Sequence, residues 1–200
     1  MSLDTKFRPT SYGEVLGQDA TVRVLKQYVQ SGRGFHQSYL FSGLHGGGKT
    51  TLARILARAL LCQNPVEGSP CDQCSSCQAM LGTGSTDSFV EVDAATNSGK
   101  SDIKKIVDDL QYSTFSGNKR VYLFDESHQL SREALDAMLK PMEDTEENSE
   151  DKRLICIFCT TEPEKMRQTV ISRCAPTFRI QEVPPKEMAQ RLGEVCSEEG

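Results

Sequence analysis

No apolar run in these 200 residues approaches the roughly 20 needed to cross a bilayer as a helix, so no helical membrane span is expected. The opening MSLDTKFRPT lacks the apolar centre of a secretory signal, which makes a cytoplasmic protein the expectation; its first three residues are set aside in reading the fold. Tryptophan is absent and no internal repeat is visible. An excess of positive charge is missing too. The 23 Lys and Arg against 28 Asp and Glu leave a net charge of −5, which argues against a freestanding nucleic-acid binder. A local basic face or positively charged partner subunits could still bring nucleic acid to an acidic chain. Much of the acidic excess sits in EDTEENSED, Glu143–Asp151, read as a solvated loop or helix end.

Cysteine, by contrast, is plentiful, with eight in all. In a small secreted chain that number would suggest disulfides. Here Cys62, Cys71, Cys74 and Cys77 fall within one short stretch and no export signal precedes them, and in a reducing compartment such spacing favours metal thiolates.

Hydrophobic periodicity supplies the framework. Val22, Leu25 and Val29 share one face of a helix over residues 19–30, ended by Gly32 and Gly34. SYLF (Ser38–Phe41) is a short buried strand running into glycines, and KTTLARILARALL beyond them has helical period. Phe89–Asp93 reads as a strand, and Ile103, Ile106, Val107 and Leu110 mark a helix capped by Ser101. RVYLFD is an apolar strand, followed by a helix from Ser131 with Leu135, Met138, Leu139 and Met142 inward. The strand RLICIFCT, a short helix PEKMRQTVISRC, a last strand TFRI and a helix opened by Pro184 and Pro185 complete the run. Asn64–Gly84, rich in Gly, Ser, Pro and Cys, cannot build a core alone and is read as an insertion. Strands alternating with helices, several of them apolar on both faces, predict an α/β fold with a parallel sheet flanked by helices.

GLHGGGKT fits the phosphate-loop pattern G-x-x-x-x-G-K-[ST] and lies between a predicted strand and a predicted helix. Gly43, Gly46 and Gly48 allow backbone N–H groups to turn inward around phosphate oxygens at the positive end of the helix. Lys49 is expected to reach the β- and γ-phosphates and the Thr50 hydroxyl to coordinate Mg²⁺, with Thr51 beside it in the nucleotide-binding set. RVYLFD delivers Asp125 and Glu126 to a strand's carboxyl end, where ligands bind in open α/β sheets. Asp125 is the candidate for holding Mg²⁺ through water and Glu126 for polarising the attacking water. The second carboxylate favours an ATPase over a phosphate-loop kinase. His128, in DESH, is given a structural role.

Four thiolates fill a closed tetrahedral Zn²⁺ site and leave no position for water, so Cys62, Cys71, Cys74 and Cys77 are expected to hold a structural zinc. An iron–sulfur cluster, whose ligands can share this spacing, and metal-free cysteines are the alternatives. Cys156 and Cys159 repeat the spacing inside an apolar strand and are read as packing residues; Cys174 and Cys196 are read as packing or incidental.

In this order the phosphate loop, the four-cysteine insert, DESH, CTTEPEKM and ISRC resemble the tau/gamma (DnaX) subunits of bacterial clamp loaders, members of the AAA+ ATPase superfamily. The resemblance runs from KFRPTSYGEVLGQ to the last helix. It implies a nucleotide-binding domain over residues 1–181, with the zinc module inserted at about 62–84, and the start of a helical lid over 182–200. The remainder of the lid, its sensor 2 arginine and a collar domain would lie further along a longer chain. The resemblance also implies that FRP and LGQ, with Pro9 and Gln18, line an adenine pocket. Thr161 matches the sensor 1 position, which watches the γ-phosphate, and Arg173 an arginine finger that completes a neighbouring subunit's site. AATNSGKSDIKK matches a helix N-terminus facing the DNA backbone, where Ser98 and Lys100 would meet phosphates.

The implied function is that of an ATP-driven motor that opens the sliding clamp and loads it onto primer–template DNA. Its cofactors would be ATP, Mg²⁺ and Zn²⁺. Its partners would be delta- and delta-prime-type subunits, the clamp and DNA. A non-catalytic delta-prime-like scaffold is the alternative, although such scaffolds tend to have degraded phosphate loops; another AAA+ remodeller, such as a helicase loader, is a third reading. Without the rest of the lid, this stretch is expected to bind nucleotide weakly and hydrolyse it poorly.

Overall fold

The computed structural model describes residues 3–32, 38–84, 86–96, 119–147 and 154–199. Among these residues five strands form one sheet: β1 (Ser38–Ser42), β2 (Phe89–Asp93), β3 (Arg120–Asp125), β4 (Leu154–Thr160) and β5 (Cys174–Arg179). They lie in the order β2-β3-β4-β1-β5, and every pairing is parallel. Parallel neighbours need crossover connections, so both faces must be covered. Helices α1 (Asp19–Gln30), α2 (Lys49–Leu61) and α3 (Ser75–Thr83), followed by α4 (Arg132–Glu147) and α5 (Pro185–Glu199), accompany the strands.

Alternation along the strands divides the core into two. Tyr39, Phe41, Val121, Leu123, Ile155 and Ile157 pack with Leu25 of α1 and with Leu52, Ile55 and Leu56 of α2 on one face. Leu40, Tyr122, Phe124, Cys156 and Phe158 pack with Leu135, Met138 and Met142 of α4 on the other. Strand residues an odd number apart point to opposite faces, and Cys156 and Cys159 accordingly lie in different clusters, both buried. Two thiols on opposite faces of a strand cannot close on one ion, so the packing role expected of them holds. Cys174 is likewise buried and Cys196 exposed.

The departures from the sequence reading are local. The insertion contains α3, which buries Cys77 and Met80. A nine-residue helix anchored by neighbouring cysteines needs no long apolar stripe of its own. PEKMRQTVISRC is not one helix but a 3₁₀ turn at Pro163–Lys165 and a single α turn at Gln168–Ile171. β5 begins at Cys174, before TFRI, and α4 runs to Glu147 into the acidic stretch. A short turn of helix, Leu3–Lys6, occupies part of the segment set aside. The helix expected from Ser101, together with Ser98 and Lys100, lies outside the described residues. Among those described, no helix is long and apolar enough to cross a membrane.

Candidate functional site: a phosphate loop facing two carboxylates

β1 and β3 end on the same edge of the sheet, and that edge carries the polar groups. After Ser42 the chain turns through Gly43 with φ +152°, and a Cβ there would stand 2.7 Å from the Ile180 carbonyl oxygen. Only glycine lets the loop pass so close to the end of β5. Gly48, φ +92°, then reverses the chain into α2. The first helical bond at this end, Leu52 N–H to the Gly48 carbonyl at 3.0 Å, begins beyond residues 49–51. The first-turn amides of α2 therefore face the cavity in front of the loop, where an anion suits both them and the helix dipole.

That cavity, of about 650 Å³, is bounded by Gly46, Gly48, Lys49, Thr50 and Thr51 from the loop and helix, by Asp125 and Glu126 from the end of β3, and by Phe7 and Pro9 from the N-terminal segment. Lys49 is buried and its Nζ donates to the Leu44 carbonyl at 2.8 Å, folded onto the loop. The Thr50 hydroxyl stands 3.0 Å from both Asp125 carboxylate oxygens, and the Glu126 amide donates to Asp125 Oδ1 at 3.1 Å. Burial raises the Asp125 carboxyl above the ordinary range; the Thr50 and Glu126 hydrogen bonds counter this in part, and the charges of Glu126 and Glu91 add to it. Such a carboxylate gains by meeting a cation. Glu126 itself sits at φ +47°, ψ +43°, a left-handed backbone uncommon for a residue with a side chain. Its Oε2 accepts the Thr161 hydroxyl at 3.0 Å.

The other expected site residues fall as follows. Gln18 is buried, and its side-chain amide clasps the backbone of Gln181, donating at 2.7 Å and accepting at 3.3 Å. Arg173 is absent from the residues bounding the cavity and donates to the Thr169 carbonyl at 2.8 Å. Arg8, inside the expected FRP segment, also borders the cavity, and three wall residues went unpredicted: His45, Met188 of α5 and Arg54. Arg54 was within reach, since it follows Thr50 by one helical turn and so shares its face. Its guanidinium grips Glu91 at 2.8 and 2.6 Å.

At the far end of α2 the four cysteines come together. Their Sγ atoms all lie within 4.8 Å of one another. The Cys71 amide donates to Cys62 Sγ and the Cys74 amide to Cys71 Sγ, each at 3.3 Å. Backbone donors of this kind stabilise thiolates. At Cys74 burial works against ionisation, yet the Gln63 and Cys77 amides and neighbouring thiols bring the thiol down to about 6, while burial pushes Cys77 up. Sulfur donors alone, close-set and partly ionised, suit a soft or borderline cation such as Zn²⁺. The insert is tied back to the helix as well: Arg58 Nε lies 3.1 Å from Asp72 Oδ1, and its Nη2 donates to the Thr10 carbonyl.

A family model described as "DNA polymerase III, delta subunit" matches residues 17–184. The chain belongs to the DNA polymerase III delta-subunit family. Curated relatives include the gamma/tau subunit of DNA polymerase III from Mycobacterium tuberculosis, 39% identical over 203 residues covering 100% of this chain and 34% of that protein. The tau subunit from Escherichia coli is 34% identical, with 98% and 29% covered, and that from Bacillus subtilis 34% identical, with 96% and 33% covered. The chain thus spans about a third of the length of the curated relatives it matches. Among solved structures, the Thermotoga maritima RuvB Holliday junction branch migration motor superposes with a TM-score of 0.63 at 19% identity, over 92% of this chain and 52% of that one. A mutant form of the same protein reaches 0.66 at 18% identity, over 96% and 56%. The parallel sheet flanked by helices is an AAA+ P-loop fold.

Proposed function

We propose that this chain is the ATP-driven part of a clamp-loader motor subunit, acting with delta- and delta-prime-type subunits to open a sliding clamp and place it on primer–template DNA. The observation that carries the reading is the convergence, in one cavity, of Lys49, the Thr50–Asp125 pair and Glu126. Mg²⁺ would replace the direct contact between Thr50 and Asp125. Lys49 would leave the Leu44 carbonyl for the β- and γ-phosphates, and Gly43, Gly46, Gly48 and Thr51 would bound the phosphates on the loop side. Glu126 would polarise water, and Thr161, bonded to it, would sense the γ-phosphate. Phe7 and Pro9 would meet the base, while Gln18 would fix the neighbouring backbone through Gln181.

In this reading residues 1–181 are the nucleotide-binding domain and 182–200 the start of a lid, whose Met188 already borders the cavity. Arg173, outside the residues that bound its own chain's cavity, would act in trans. Ser98 and Lys100 would approach DNA phosphates. Zinc in Cys62, Cys71, Cys74 and Cys77 would supply a brace, with four thiolates and no open ligand position for catalysis. A cytoplasmic setting accords with free thiols and with replication. The non-catalytic scaffold has one observation in its favour, the delta-subunit description of the matched family; the intact loop and paired carboxylates weigh against it.

The test uses the full-length chain with its partner subunits. Labelled ATP should bind, and the assembly should load a clamp onto primed DNA. Arg173→Ala should slow hydrolysis by about 10³-fold or more while leaving the single chain's ATP affinity unchanged. An affinity loss in the isolated chain would contradict action in trans, and failure to bind ATP would return the chain to the scaffold reading.

A further inference from the structure

Glu126 is held from an unexpected quarter. Its Oε2, the atom that accepts the Thr161 hydroxyl at 3.0 Å, also lies 3.4 Å from Nδ1 of His128. The imidazole is 9% exposed, and Nδ1 is simultaneously 3.1 Å from the Thr160 hydroxyl. On the ring's other side Nε2 lies 3.2 Å from Glu162 Oε1. The Glu162 amide closes the circuit by donating to Thr160 Oγ1 at 3.1 Å. One ring therefore joins the end of β3 to the end of β4 through three residues in succession, Thr160, Thr161 and Glu162, each of which touches either His128 or Glu126.

The local backbone explains why such a tether is required. Glu126 occupies the left-handed region, which is strained for a residue with a Cβ. The turn that follows is pinned beneath it: Ser127, fully buried, donates its hydroxyl to the Cys159 carbonyl at 3.0 Å, and Gln129 N–H returns to the Glu126 carbonyl at 2.9 Å. These bonds place the Cα of Glu126, but a glutamate has three further torsions that backbone geometry leaves free. A water-polarising carboxylate must be held to within a fraction of an ångström. The Thr161 hydroxyl bonds the oxygen itself, and Nδ1 of His128 lies beside it.

We infer that His128 is a positioning residue that holds the Glu126 carboxylate and ties its placement to Glu162 at the end of β4. The inference rests on the reading of Glu126 as the group that polarises water. It replaces the purely structural role expected of His128. It also gives the end of β4 a second duty: the segment that runs on from Glu162 to Arg173 is joined through one imidazole to the chain's own hydrolytic carboxylate. Movement at one ATP site would then be felt at the arginine offered to the next.

The experiment uses the full-length subunit in its assembly, with single-turnover ATP hydrolysis, ATP affinity and thermal unfolding measured for each variant. His128→Ala should lower the hydrolysis rate by about 10- to 100-fold with ATP affinity within about twofold. Asn places an amide near Nδ1 and Gln places one near Nε2. Since Nδ1 faces Glu126, His128→Asn should restore most of the rate and His128→Gln much less. The Asn variant also keeps the test decisive should the Ala variant fold poorly. Glu126→Gln combined with His128→Ala should be no slower than Glu126→Gln alone, because the histidine has nothing left to hold. A wild-type rate in His128→Ala, an additive loss in the double variant, or a loss confined to affinity would each overturn the inference while leaving Glu126 in its role. A wild-type rate in Glu126→Gln alone would remove the role of Glu126, and the inference with it.

Discussion

One helix, Lys49–Leu61, begins at the phosphate loop and ends against the first cysteine, and its two ends are built on opposite plans. At the amino end the polar groups converge around a cavity of about 650 Å³. Asp125 is held there by a hydroxyl and an amide, donors that leave its negative charge in place. At the carboxyl end four sulfurs crowd to within 4.8 Å and are bonded by their neighbours' amides. The first arrangement suits a ligand that arrives, reacts and leaves. The second suits an ion that stays. A site for turnover must keep polar groups underused until its ligand comes, and this costs stability; a brace has no reason to do so.

The largest expected effect breaks the comparison at the open end. Glu126→Gln, assayed in the full-length assembly, should slow hydrolysis about 10²- to 10⁴-fold, the range of a lost general base, with ATP affinity retained. Parallel loss of affinity and rate would mean that Glu126 serves binding, and the distinction between holding and reacting groups would fail. Next in size is removal of the metal by chelation. We expect about one equivalent of zinc per chain, and its loss should lower the unfolding midpoint by roughly 5–10 °C, or about 2–3 kcal/mol for a chain of this size. ATP affinity should change by no more than roughly twofold, as for distant and independent sites. A larger change would show that Arg58, which links Asp72 of the insert to the Thr10 carbonyl, carries the brace's influence to the N-terminal segment beside the cavity.

The two ends also differ in how plainly the sequence announces them. Glycine spacing, a following Lys-Thr and an apolar strand ending in Asp-Glu are contiguous signals, and each works through backbone geometry that short segments determine for themselves. The four cysteines are as plain, because ligand identity and spacing are the whole requirement. The partners that position these groups are less visible. Thr161 and His128 meet on Glu126 only because β3 and β4 are adjacent in the sheet, a neighbour relation that periodicity does not encode. Glu91 meets Arg54 across the interval from β2 to α2 for the same reason. α3 escaped notice because its nine residues are oriented by the cysteine cluster and by burial of Met80, with no amphipathic stripe long enough to read. The alternation of strands and helices, which depends on residues three or four apart and two apart, was legible through the described chain apart from α3 and the broken turn after β4.

The smallest expected effect separates the stability cost of the open end from its use. The Asp125 carboxyl is raised chiefly by burial. A carboxyl whose folded-state pKa lies above its unfolded value ionises first in the unfolded chain, so stability falls as pH rises between the two values, and the deficit persists at neutral pH. Asn has nearly the same shape, keeps an oxygen for the Thr50 hydroxyl and carries no charge to desolvate. Asp125→Asn should therefore raise the unfolding midpoint of the nucleotide-free protein by about 1–3 °C at neutral pH. The gain should narrow as pH is lowered toward about 4, where the unfolded carboxyl also takes up its proton. The same variant should lose most of the extra stabilisation that Mg²⁺ adds to ATP binding. Scanning calorimetry across that pH range, with and without Mg·ATP, measures both halves. A destabilised nucleotide-free variant would mean that the Asp125 charge is already compensated by the fold, leaving no deficit for a cation to relieve.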